Sequence, residues 1–79
     1  MWTYNLEKFK DAITVYDSNK LFVAVDFELC YPNKKDRVQT MITWVLDLTK
    51  QVMQQRSNDL PDFLEDIVCP LLKDLKDRL

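Results

Sequence analysis

Asp26 and Glu28 stand two residues apart in a stretch where apolar and polar residues alternate. On a strand that spacing places both carboxylates on one face, the start of a divalent-metal nuclease centre. Such a centre would want a lysine two residues beyond the glutamate. Cys30 stands there instead, and local sequence holds no third acid beside the pair. The pair therefore reads as the solvated face of a sheet. Cys30 and Cys69 fall short of the four Cys or His ligands of a structural zinc. Neither has a CxxC neighbour or a histidine to activate it, so both are expected as semi-buried reduced thiols, with a disulfide as the alternative. Lys34, Lys35 and Arg37 are the sharper signal. Cations at the start of a helix oppose its dipole, and a broken local rule is where function is sought. Together with free helix amides they would hold a phosphate or a partner's carboxylates.

Two absences narrow the chemistry further. The 79 residues include no glycine and no histidine, where average usage would put about five or six glycines in such a chain. Without glycine there is no dinucleotide or Walker-type phosphate loop, no nucleophile elbow and no EF-hand loop. Without histidine there is no imidazole base or metal ligand. No catalytic, cofactor-binding or metal-binding residue is assigned, and no cofactor is expected.

The partner-facing candidates lie on the middle helix. Its polar side carries Gln39, Thr40, Thr43, Gln51, Gln54 and Gln55, with Trp44 at the margin. Neutral polar groups beside an aromatic suit a surface that is covered at times. The partner-binding set is Lys34, Lys35, Arg37, Thr40, Trp44 and Gln51. Asp59, Asp62, Glu65 and Asp66 crowd the start of the last helix, where the dipole stabilises them. Phosphate mimicry is a secondary reading of those acids.

The elements that must position these residues form an α+β fold. Residues 5–11 are expected as a short helix capped by Asn5 that buries Leu6 and Phe9. An antiparallel hairpin follows, about 13–16 and 21–31, with Leu21, Val23, Val25, Phe27, Leu29 and Tyr31 on its inner face. Asn19 in the 17–20 turn takes the left-handed conformation that glycine would otherwise fill. Two long helices complete the chain, about 34–55 and 60–78. The first carries an apolar arc of about 200° at 100° per residue, wide enough to need cover from two directions. The second bends at Pro70, which leaves the Asp66 carbonyl without its helical donor. Leu6, Phe9, Ile13, Tyr16, Val23 and Phe27 also fit helical spacing, so an all-α bundle is the alternative.

A single compact domain over 1–79 suits this length. Charge is −2 over residues 1–31, +3 over 32–58 and −3 over 59–79. No apolar run is long enough for a membrane span and no signal peptide is visible, so a cytoplasmic location is expected. A ribbon that enters the major groove would present Asp26 and Glu28 to phosphates that repel them, which excludes a ribbon-helix-helix arrangement. The expected function is a small non-enzymatic protein-binding module, an inhibitor or adaptor docking on a larger protein. In size and acidity alone it is similar to phage anti-defence and toxin-immunity proteins. A homodimer is the other expected association. A nucleic-acid-binding or regulatory protein using the basic start of the middle helix is the alternative, and an enzyme centred on Asp26 and Glu28 comes third.

Overall fold

Trp2, Tyr4 and Leu6 alternate with exposed Thr3 and Asn5, and this period of two makes the N-terminus a strand. The computed structural model describes residues 1–7 and 9–78, and of Lys35 the backbone alone. Strand β1 (Trp2–Leu6) replaces the expected Asn5-capped helix. Trp2 decides the matter, because its buried ring meets Phe22 and Phe63 edge-on with both centroids 5.0 Å away. Phe9 does not enter the core and is 92% exposed.

Strands β2 (Ala12–Asp17) and β3 (Lys20–Asp26) complete an antiparallel sheet in the order β1-β2-β3. This sheet excludes the all-α alternative. Ser18 and Asn19 link β2 to β3 with φ of 50° and 70°, the two left-handed positions of a tight hairpin turn. Asn19 behaves as expected, and Ser18 joins it. The pairing runs Val15 to Val23 and then Tyr16 to Leu21, so Phe22 is the extra residue of a bulge. The bulge breaks the strict alternation expected of 21–31. Phe22 packs against the core in place of Leu21, which is exposed.

The strand also ends earlier than expected. Asp26 is the last extended residue, and its Oδ1 accepts the Glu28 amide at 3.1 Å, capping a helical turn, α1 (Phe27–Cys30). Phe27 is thereby buried, while Leu29 is 83% exposed. Pro32 disfavours a helical Tyr31, and α1 stops there. Helix α2 (Lys34–Gln55) has the expected bounds. Its buried residues are Val38, Met41, Val45, Leu48 and Val52, spaced by three and four, and Ile42 and Trp44 pack against the same core on either side of that stripe. Leu46 and Met53, which flank that stripe, are exposed.

A short 3-10 turn (Ser57–Asp59) leads into a continuous helical segment made of α3 (Leu60–Phe63), a π-helical stretch (Leu64–Val68) and α4 (Cys69–Lys76). Phe63, Ile67, Leu71 and Leu75 are fully buried at intervals of four. In a regular α-helix that spacing drifts about 40° per step. The π stretch, where the Cys69 amide reaches back to the Leu64 carbonyl, inserts one residue and resets the stripe. The distortion expected at Pro70 thus lies in the turn before it. One face of the sheet and both helices enclose a single core of Ile13, Val15, Phe27, Met41, Val45, Phe63, Ile67 and Leu71 among others. Among the described residues no helix is long and apolar enough to cross a membrane.

Candidate functional site

Asp11 immediately precedes β2 and faces inward, its side chain only 8% exposed. Burying a lone carboxylate is costly, and two guanidinium groups meet it. Arg37 Nη1 donates to Asp11 Oδ2 at 2.7 Å, and Arg78 Nη1 donates to Oδ1 at 2.6 Å. Arg37 also donates through Nε to the Tyr31 carbonyl at 2.8 Å and through Nη2 to the Pro32 carbonyl at 3.0 Å. Arg78 Nη2 donates to the Glu7 carbonyl. Main-chain bonds reinforce the cluster. The Phe27 amide donates to the Asp11 carbonyl at 2.8 Å, and the Asp11 amide donates to Glu28 Oε1 at 3.4 Å. Four separate segments converge on one residue: the β1–β2 connection, α1, the start of α2 and the stretch beyond α4.

Above this cluster lies a cleft of about 470 Å³ lined by Phe9, Asp11, Glu28, Lys34, Arg37 and Arg78. The segments that wall it carry large exposed apolar groups: Phe9 at 92%, Leu29 at 83% and Tyr31 at 43%. The Phe27 ring anchors this end, stacking on Tyr31 at 6.3 Å and meeting Trp44 edge-on at 5.6 Å.

The expected site residues separate into three places. Lys34 and Arg37 share the cleft, but Arg37 is turned inward onto Asp11 and two carbonyls. The side chain of Lys35 lies outside the described residues. Thr40 lines a shallow depression with Asp36, Gln39 and Thr43, its hydroxyl donating to the Asp36 carbonyl at 2.9 Å. Trp44 is half-buried against Phe27. Gln51 is exposed but lies about 25 Å along α2 from Lys34, at 1.5 Å per residue. Asp11, Arg78, Phe9 and Glu28 belong to the cleft and escape a local reading. Asp11 is 26 residues from Arg37 and 67 from Arg78, so no short-range spacing announces the triad.

The two carboxylates read as a possible nuclease pair part company. Asp26 caps α1 and pairs with Lys10 Nζ at 2.9 Å, and the Lys10 hydrogen bond holds its carboxyl below the usual carboxylate range. Glu28 turns toward Asp11 and Arg37, its Oε1 3.8 Å from Arg37 Nη1. Among the described residues no three His, Cys, Asp or Glu side chains gather into a metal-binding group. Cys30 and Cys69 are free thiols and both are exposed rather than semi-buried. Elsewhere, Arg56 pairs with Asp17 and lies over the Trp2 and Phe22 rings at 5.7 and 5.5 Å. The Tyr4 hydroxyl donates to Asp74 Oδ2 at 2.6 Å, and burial together with that bond pushes its pKa up to about 12.

Comparison with protein-family models, with curated proteins and with solved structures returned no match.

Proposed function

We propose that this chain is a non-enzymatic protein-binding module, an inhibitor or adaptor that docks on a larger protein through the cleft end of the molecule. The observation that carries this reading is the grouping of Phe9, Leu29 and Tyr31, all exposed, on the segments that wall one cleft. Apolar groups beside a few fixed polar groups make the core of a protein interface. A rigid base supports them, because Phe27 is buried beneath α1 and the Asp11 cluster ties the walls together. The charged groups of the cluster are held in hydrogen bonds to one another and to the main chain, an arrangement that suits binding rather than turnover.

The nucleic-acid alternative draws less support. Of the basic residues in the +3 middle segment, Arg37 and Arg56 are spent on Asp11 and Asp17, which leaves little cation density for phosphates.

The test is selection of displayed peptides on the full chain, followed by amide-shift mapping. Selected peptides are expected to perturb residues 9–11, 27–31 and 34–38, and Phe9→Ser with Leu29→Ser is expected to abolish the response. Peptides that map to another face, or that bind the double variant as well as the parent, would overturn the docking reading.

A further inference from the structure

We infer that the cleft receives one carboxylate side chain of the docking partner, with Lys34 and Arg78 reading its charge; this rests on the docking reading above. Among the described residues the lining carries three cations, Lys34, Arg37 and Arg78, against two carboxylates, Asp11 and Glu28. Both oxygens of Asp11 are engaged by guanidinium groups, and Glu28 Oε1 faces the Asp11 amide and Arg37. The named bonds engage three of the five N–H groups of Arg37 and two of the five of Arg78. Both guanidinium groups belong to the residues of the lining, and a carboxylate matches the planar fork of a guanidinium. Lys34 makes no ion pair among the described residues. It opens the 22-residue α2, so the positive end of a long helix dipole adds to its charge.

The balance of charge selects the ligand class. Among the described residues the lining has an excess of one positive charge, which one carboxylate neutralises, whereas a phosphoryl group brings about −1.5 to −2. Phe9 and Val38 also line the cleft and give the methylenes of a glutamate an apolar wall.

The experiment titrates the full ¹⁵N-labelled chain with acetyl-Leu-Glu-Leu-amide, with its Gln counterpart and with inorganic phosphate. The glutamate peptide is expected to shift the Lys34 amide and the Arg37 and Arg78 Nε signals saturably, and the other two probes to act more weakly. Lys34→Gln should weaken the glutamate peptide about two- to fivefold, the scale of one exposed charge pair. Glu28→Gln, which removes a carboxylate of the lining that is not bonded by a guanidinium on both oxygens, should tighten it. Equal binding of the Glu and Gln peptides at the cleft overturns the carboxylate inference and leaves the docking reading standing. Stronger binding of phosphate, or no cleft response to the glutamate peptide, also overturns it. The displayed-peptide selection judges the docking reading separately.

Discussion

Asp11 shows how one side chain can tie distant segments together. Its carboxylate joins residues 26 and 67 positions away in the chain, and removing it strands two guanidinium groups, one of them buried. Asp11→Asn should cost about 3 kcal/mol in chemical denaturation, the lower end for breaking a buried ion pair. Asp11→Leu combined with Arg37→Met should recover part of that loss, since the desolvation cost leaves with the charges. Tyr4 supplies a pH-dependent residue. Its pKa of about 12 lies above the ordinary 10, so the folded state holds the proton more tightly than the unfolded chain. The stabilisation is fully present below pH 10 and is lost as pH rises from about 10 through about 12. Tyr4→Phe should flatten that part of the stability profile, measured by denaturant midpoints across alkaline pH.

Among the elements, the sheet and the last helix each depart from regularity where the sequence has no regular solution. The hairpin turn needs two left-handed residues, and in a chain without glycine Ser18 and Asn19 must supply both. Asn19→Gly should therefore stabilise the fold by about 0.5 kcal/mol, read from the urea midpoint. The π stretch lets Phe63, Ile67, Leu71 and Leu75 all face inward. Phe63→Ala should cost about 3–5 kcal/mol by leaving a cavity beneath Trp2. The long elements were legible beforehand. Helix α2 shows in the spacing of Val38, Met41, Val45 and Val52, and its bounds are the expected ones. The hairpin shows in Ile13-Thr14-Val15 and Val23-Ala24-Val25. Strand β1 was hidden because five residues at a chain end give a weak period, and Asn5 imitates a helix cap. The bulge at Phe22 was hidden because it is decided by the pairing across the sheet, and the cap at Asp26 was hidden because the alternation of 21–31 reads on through it as strand.

The molecule as a whole measures 36 × 20 × 20 Å, and the cleft end gathers residues from nearly its full sequence. Phe9→Ser and Leu29→Ser should change stability by no more than about 0.5 kcal/mol, as exposed positions outside the core do, while removing the docking response. That separation of stability from binding is what distinguishes a docking surface from an unfinished core. The amino-acid sequence by itself determined the bounds of α2, the place of the hairpin and the absence of glycine- and histidine-dependent motifs, and it favoured the α+β class without excluding an all-α bundle. These follow from composition and from short-range periodicity, which act within a turn or a strand. Only the tertiary structure decided that Arg37 turns inward, that Asp26 and Glu28 part, and that Phe9, Lys34 and Arg78 share a cleft. The reason is physical: a buried charge takes its partner wherever the packed chain brings one within reach, and no local spacing records that distance.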